Sequence, residues 1–277
     1  MKVKKAFTLV ELLVVIAIIA VLMSVLMPAL QKARMQATMA VCLGNQRTMS
    51  MAYALYTTDN DDYLVGFHNN PGTAPWTMPP MAEDGTQLTR GSTSSDGAGG
   101  DFATLDDRLR GIRAGKLWPY IEDTDAYHCP GDRRVKEGTY LGSSLVHRLY
   151  LTYTIQVGLN AAPWGVSRMT EINNPGTTFA FVEQYYDGWV TNHCDGFLLD
   201  PINLPGSWWH VIALWHGDTG TLGYVDGHAE KRKWVDERTL DLFLCRTQGY
   251  QPDNPDLQYL MQRITVKREF KNDKKWR

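Results

Sequence analysis

A long apolar run near the N-terminus constrains this chain more than any other feature. From Phe7 to Met27 there are 21 residues, and Glu11 is the single charged residue among them. As a helix the run would be about 30 Å long, which matches the hydrocarbon core of a bilayer. Three lysines precede it with no acidic residue between them: Lys2, Lys4 and Lys5. This bias keeps the N-terminus in the cytoplasm, so the sequence predicts a single-pass membrane protein with an exported body.

Glu11 is out of place in a plain membrane anchor. A carboxylate within a membrane helix costs about 2.5–3.5 kcal/mol on insertion scales and is normally paired or functional. Its surroundings, Lys4-Lys5-Ala6 followed by Phe7-Thr8-Leu9-Val10-Glu11-Leu12, resemble the prepilin leader of type IV pilins and type II secretion pseudopilins.

This resemblance implies a processing site and an assembly role. In the family a prepilin peptidase cuts before the Phe and methylates the new amine, which places the cut between Ala6 and Phe7, with Ala6 in place of the usual Gly. The resemblance also implies that Glu11 neutralises the amine of a neighbouring subunit as a filament grows. Pro28 matches the position at which family helices are kinked or locally melted, and a kink also follows from proline chemistry.

Two other interpretations of the apolar run stay open. An ordinary signal peptide would have a shorter apolar core and a small-x-small cleavage site, and no such site stands cleanly after Ala20. A plain signal anchor would leave Glu11 without a purpose.

The chain beyond Pro28 keeps a helical pattern. Apolar residues recur there at intervals of three, four or a multiple, as on one face of an amphipathic helix: Met39, Leu43, Met49, Ala52, Tyr53 and Tyr56. We therefore predict a leader over residues 1–6, one helix over 7–57 and an exported head over 58–277. The fold class is α+β, with the second half of a pilin-type helix packed on an antiparallel head.

The head has the pattern of a β-rich domain. Residues 150–155 and 177–183 are rich in aromatic and β-branched residues and predict strands. Residues 211–216, 221–225 and 228–234 predict a three-strand meander, because Asp226-Gly227 is a strong hairpin signal. Short helices are expected over 105–112 and 235–245. The Gly-, Pro- and Ser-rich stretch 71–101 predicts an exposed loop insertion with little buried surface.

His216, nine intervening residues and then Asp226-Gly227 match the H-X9-DG signature of a class of bacterial prepilin-like proteins. We interpret the signature as structural: Asp226-Gly227 supplies a turn, and His216 bonds across it. His228 follows directly. A metal site of His216, Asp226 and His228 is the main alternative, since imidazole and carboxylate are common ligands. His128-Cys129 and His193-Cys194 are awkward ligand pairs, because adjacent strand residues point to opposite faces.

The cysteines and acidic residues suggest further sites in the head. Four cysteines beyond the membrane segment permit two disulfides in an oxidising compartment. We favour Cys42 with Cys129 and Cys194 with Cys245, and a reduced or metal-bound set is the alternative. Three acids are weak calcium candidates: Asp59, Asp61 and Asp62. No other cofactor is expected, and a net charge of −2 implies no attraction to nucleic acid.

The expected function is therefore structural. We predict a pseudopilin or minor pilin of the bacterial inner membrane with a periplasmic head. Its partners would be prepilin peptidase, other pilin-like subunits and an inner-membrane assembly platform. Neither a Ser-His-Asp elbow, a P-loop nor HExxH is present to support an enzyme. The alternatives are a membrane-tethered domain that stacks sugars or peptides on Trp208, Trp209 and Trp215, and a metal-dependent enzyme.

Overall fold

A computed structural model describes residues 8–66, 75–87, 104–132, 150–160, 163–185, 196–245 and 249–270. The side chains of 242–245 are not among the described parts. The predicted cleavage point between Ala6 and Phe7 and the sulfur atoms of Cys194 and Cys245 therefore lie outside the described residues.

Helix α1 spans Leu9–Asp59. Its first half is apolar and exposed: Leu12, Ile16 and Val25 are 53%, 56% and 72% exposed. Among the described residues α1 is the one helix long and apolar enough to cross a membrane, and none of its most apolar 18-residue window is buried within the chain. Because α1 continues through Pro28, the predicted membrane segment and the segment that meets the head form one helix.

The second half of α1 packs on the head, as its apolar spacing predicts. Its buried residues share one face of the helix: Cys42, Gln46, Met49, Ser50, Ala52, Tyr53, Tyr56 and Thr57. Tyr53 meets Phe181 of the sheet edge to face, with ring centroids 5.9 Å apart. The predicted α+β architecture, a long apolar helix followed by an antiparallel sheet domain, is confirmed.

The described strands form one main sheet and one small sheet. In chain order they are β1 (Tyr153–Ile155), β2 (Phe179–Tyr185), β3 (Ser207–Trp208), β4 (Val211–Ile212), β5 (Thr219–Tyr224), β6 (Ala229–Lys233) and β7 (Gly249–Tyr250). The main sheet has the order β1-β2-β5-β6, and β4 also pairs with β2. β3 pairs with β7, and every pairing is antiparallel. β2 is central, and six of its seven residues are buried.

The predicted meander is correct only in its second hairpin. β5 and β6 pair as predicted, with Gly227 in the connecting turn at φ +96°. The first predicted hairpin is wrong, because β4 pairs with Gln184 and Tyr185 of β2 instead of β5. β5 reaches only as far as Val182 along β2, so the end of β2 leaves unpaired backbone groups that β4 can satisfy. The chain then leaves the sheet before His216.

Shorter helices accompany α1 and the sheets. The shorter described helices are α2 (Leu105–Arg113), α3 (Trp118–Ile121), α4 (Glu237–Cys245) and α5 (Pro255–Met261). α2 and α4 occupy the two stretches in which we predict helices. α2 begins with a capping box between Thr104 and Asp107, which satisfies backbone donors at its first turn.

The described part of the predicted loop insertion, residues 75–87, contributes to the core. Trp76 has no exposed surface; it stacks on Tyr127 and lies against Phe181, with ring centroids 5.9 and 5.4 Å away. The prediction of little buried surface is therefore wrong here. Pro and Gly indicate an irregular backbone but do not prevent a large aromatic side chain from filling the core.

Helix α1 approaches β5 closely at Gly223. A Cβ atom on Gly223 would lie 2.3 Å from Ser50 Oγ and 2.9 Å from the Gln46 carbonyl oxygen. Beside it, the side-chain amide of Gln46 donates a 3.1 Å hydrogen bond to the Thr221 carbonyl. Only a residue without a side chain permits this spacing.

We expect Gly223→Ala to lower the free energy of unfolding of the head by about 1–3 kcal/mol, because the added methyl group forces α1 away from β5. Gly44→Ala is a matched control, since its Cβ would have no neighbour within 4 Å and Ala favours the helix by about 1 kcal/mol. Denaturant unfolding of the full chain in detergent, followed by tryptophan fluorescence, measures both. Equal stability of the two variants would contradict the close approach.

Candidate functional site

The N-terminal end of α1 is closed by Thr8 and Glu11. The Thr8 hydroxyl oxygen accepts a hydrogen bond from the Glu11 amide at 3.3 Å. In return, Glu11 Oε2 accepts hydrogen bonds from the Thr8 amide and from the Thr8 hydroxyl, both at 2.8 Å. This is a capping box, which satisfies backbone donors that would otherwise be unpaired at the helix end.

The capping box explains how α1 carries an acidic residue into an apolar segment. Both described hydrogen bonds of the Glu11 carboxyl group fall on Oε2, so in the described part of the chain Oε1 is left for an outside donor. This pairing is not among the sequence-based predictions, although the spacing Thr8-x-x-Glu11 is itself a capping-box signal. The carboxyl group can therefore cap its own helix and meet a neighbouring chain.

The first half of α1 has an apolar surface that the rest of the described chain does not cover. Ala17, Ala20 and Ser24 are small residues within it, and small residues allow helices to approach closely in lipid. The Ser24 hydroxyl donates to the Val21 carbonyl at 2.7 Å, so its polar group is satisfied within the helix. Pro28 lies at the end of this surface and does not interrupt the helix.

A second group of polar side chains lies where α1 meets the sheet. We call it the thiol cluster, and its four buried members are Cys42, Cys129, Glu183 and His216. Their possible ligand atoms all lie within 4.8 Å of one another. The two sulfur atoms are 2.8 Å apart, and His216 Nε2 lies 3.4 Å from Cys129 Sγ and 3.3 Å from Glu183 Oε1.

Each member of the thiol cluster comes from a different part of the fold. Cys42 lies on α1 and Glu183 on β2. Cys129 follows the 3₁₀ turn Asp125–Tyr127, and His216 lies between β4 and β5. Both cysteines are free thiols in the structure, so the predicted Cys42–Cys129 disulfide stays a prediction, as does the Cys194–Cys245 disulfide outside the described side chains.

The contacts within the cluster change the acidity of its members. Burial alone would lower the pKa of His216, but hydrogen bonds with Cys129 and Glu183 outweigh it and raise the pKa to about 9. The hydrogen bond from Cys42 lowers the pKa of Cys129 to about 7. That same hydrogen bond, together with burial, raises the pKa of Cys42. The cluster therefore combines a strong proton acceptor with one acidic thiol.

The structure separates the residues of the H-X9-DG signature. Asp226 and His228 lie in the β5–β6 turn, where Asp226 Oδ1 and His228 Nδ1 are 2.5 Å apart, and the His228 ring stacks on Tyr224. His216 is instead a member of the thiol cluster. The predicted hydrogen bond of His216 across the turn is therefore wrong. The reason is that β4 pairs with β2 and not with β5, so the residues after β4 do not lie beside the β5–β6 turn. Gly227 keeps its predicted turn role through its positive φ.

The remaining predicted residues occupy separate places. Asp59 Oδ2 accepts a hydrogen bond from the Tyr120 hydroxyl at 3.0 Å, and Asp62 Oδ2 accepts one from the Thr170 amide at 3.3 Å. Asp61 has a positive φ of 51° beside them. These contacts tie the end of α1 to the head.

Comparison with known proteins bears on the N-terminal site alone. A family model for the prokaryotic N-terminal methylation motif matches residues 1–27. No curated protein and no solved structure matches the chain. The match supports a type IV prepilin-like protein, while the H-X9-DG class stays a prediction.

We expect Thr8→Val to speed hydrogen exchange at the Glu11 amide about fivefold, since losing an N-cap acceptor costs about 1 kcal/mol. Exchange measured by NMR on the full chain in detergent micelles tests this. Ser24→Ala is the control, because the Ser24 hydroxyl bonds only a helix carbonyl and its loss should leave the Glu11 amide unchanged. Unchanged exchange in Thr8→Val would show that the capping box does not form.

Proposed function

We propose that this chain is a structural subunit of a pilin-like filament, as a pseudopilin of a type II secretion pseudopilus or a minor pilin of a type IV pilus. The methylation motif indicates a pilin-like protein and implies processing by prepilin peptidase. We further propose that the head is periplasmic and that an inner-membrane assembly platform is a partner.

One observation carries the proposal. A single helix has two halves: the apolar side chains of the first have no partner among the described residues, and the second is buried on the head. Apolar surface of this extent is unfavourable in water, so it requires lipid or other helices. A filament subunit would meet both partners: lipid while it lies in the membrane, and the helices of other subunits once it is assembled.

The N-terminal geometry supports this role for Glu11. Its Oε2 caps α1. Oε1 belongs to the same carboxyl group and therefore also lies at the helix end. A methylated amine on the Phe7 of a neighbouring chain would be a suitable donor for Oε1, since hydrogen bonds to charged groups are the strong ones. Glu11 would then pair two chains and still cap its own helix.

The alternative of a tethered ligand-binding domain has less support. Of the three tryptophans considered for stacking, Trp208 is buried, Trp215 is half-buried and Trp209 alone is 42% exposed. A stacking platform needs accessible rings, and one exposed ring is a weak basis for it. We propose that the chain is not an enzyme, and that calcium at Asp59, Asp61 and Asp62 is dispensable for assembly.

Mass spectrometry of the mature N-terminus tests the processing step. When the full chain is coexpressed with a prepilin peptidase, we expect a protein that begins at N-methylated Phe7. The parallel expression without the peptidase should retain residues 1–6. A chain that keeps Met1 in both preparations would contradict the prepilin proposal.

Photocrosslinking tests assembly through Glu11. With p-benzoylphenylalanine in place of Leu13, which is 56% exposed, light should produce chain-to-chain adducts in the native host. We expect Glu11→Ala to reduce their yield about tenfold, which corresponds to the roughly 1.5 kcal/mol of a hydrogen bond to a charged group.

Glu83→Ala is the matched control for this experiment. It removes the same side chain from an exposed position in the head, so adducts should form at the level of the unmodified chain. If Glu11→Ala and Glu83→Ala give equal adduct yields, Glu11 has no role in assembly. If neither the unmodified chain nor the control forms adducts, the chain does not assemble through α1.

A further inference from the structure

The thiol cluster is the strongest unexplained feature of the head, and it does not depend on the proposed assembly role. Its four side chains come from elements distant in sequence, and all four are buried. Buried ionisable groups of this kind are costly unless they are paired or bind a metal. Their convergence at one point therefore calls for a specific partner.

One carboxyl oxygen of the cluster lacks a hydrogen-bond partner among the described residues. Glu183 is 1% exposed, and its Oε1 accepts a 2.8 Å hydrogen bond from the Thr221 hydroxyl. Its Oε2 is buried and has no hydrogen-bond partner within the described part of the chain. An unpaired buried carboxyl oxygen is destabilising, and a cation bound by the Glu183 carboxyl group would compensate its buried charge.

The donor set matches zinc. Two thiols, one imidazole and one carboxyl group are all standard ligands of Zn²⁺. Tetrahedral zinc with ordinary bond lengths separates its ligand atoms by about 3.3–3.8 Å. The distances from His216 Nε2 to Cys129 Sγ and to Glu183 Oε1, 3.4 and 3.3 Å, fit this spacing. The two sulfurs, 2.8 Å apart, would move apart by about 1 Å.

Thr38 contacts the His216 imidazole at Nδ1. Its hydroxyl lies 3.1 and 3.0 Å from the Arg34 and Met35 carbonyls of the preceding helical turn and so donates its hydrogen there. The Thr38 oxygen, 3.2 Å from His216 Nδ1, is then an acceptor for the Nδ1 hydrogen. Nε2 then faces the cluster and would bind a metal that displaces its proton, which is the usual arrangement around a metal-binding histidine.

The surroundings of the sulfur and carboxyl ligands are also suitable. The Gly131 amide donates to Cys129 Sγ at 3.3 Å, and the Thr221 hydroxyl holds Glu183. Such outer contacts stabilise deprotonated ligands and fix their orientation. A Cys42–Cys129 disulfide would instead consume both thiols and leave the Glu183 carboxyl group without a cation.

We propose that the thiol cluster binds one Zn²⁺ ion per chain. The ion joins α1 to the sheet through Cys42, and joins both to the loops that carry Cys129 and His216. Its role is structural, since the four ligands complete a tetrahedron and leave no open position for a substrate.

Metal and thiol analysis of the full chain, extracted in detergent without chelator or reductant, tests the proposal. We expect about one zinc per chain by elemental analysis. Peptide mapping should find Cys42 and Cys129 as free thiols that alkylate only after the zinc is removed. A metal-free protein whose Cys42 and Cys129 peptides are disulfide-linked would overturn the proposal. So would a metal-free protein with free thiols that takes up neither added Zn²⁺ nor added Co²⁺.

Substitutions assign the ligands. Cys42→Ser and His216→Gln should lose the zinc, whereas His228→Gln, which changes a partly exposed histidine in the β5–β6 turn, should keep it. Because a ligand variant can also unfold, Co²⁺ titration of the unmodified chain provides a second measurement. Sulfur-to-cobalt charge-transfer absorption is expected on binding, and its absence would contradict thiolate ligation.

Thr38→Val tests the positioning role of Thr38 separately. We expect it to weaken zinc binding about 10–100-fold, as for other lost contacts of metal-binding histidines. Thr48→Val is the matched control, since Thr48 is an exposed residue of the same helix. Competition with a chromophoric chelator measures both affinities, and equal values would show that Thr38 does not orient His216.

Discussion

The structure depends on the exposed apolar half of α1, which no other described segment covers. Burying apolar surface is the main favourable term in folding, and this chain leaves a long apolar segment outside its own core. The helix must therefore find lipid or other helices. The capping box adapts the same segment to that environment, because Glu11 satisfies backbone donors at its own helix end. Lipid and neighbouring helices are thus two solutions to one physical problem.

The other half of α1 meets the opposite requirement, because it must stay with the head. It does so with buried apolar side chains, Met49 and Tyr53 among them, and with polar and close contacts. Gln46 bonds the β5 backbone, Ser50 packs against Gly223, and Cys42 enters the thiol cluster. Hydrogen bonds and close packing are both sensitive to geometry. They hold the helix at one register relative to the sheet.

Much of the fold could be predicted from the sequence because its signals are local. The apolar run, the spacing of Met49, Tyr53 and Tyr56, and the Asp226-Gly227 turn each depend on neighbouring residues. The failures involve distant partners. β4 pairs with β2 because β2 has an uncovered end, and Trp76 enters the core from an irregular segment. The thiol cluster joins residues far apart in the chain, so neither motif nor periodicity could bring His216 to Cys42.

The path of α1 along β5 has a mechanical consequence. Contacts to β5 advance together along both elements, from Gln46 with Thr221 to Ser50 with Gly223, so helix and strand run side by side in the same direction. A pull on the first half of α1 would act along this interface as shear. Under shear the contacts share the load at once, whereas peeling would break them one after another. The head would therefore move together with the helix.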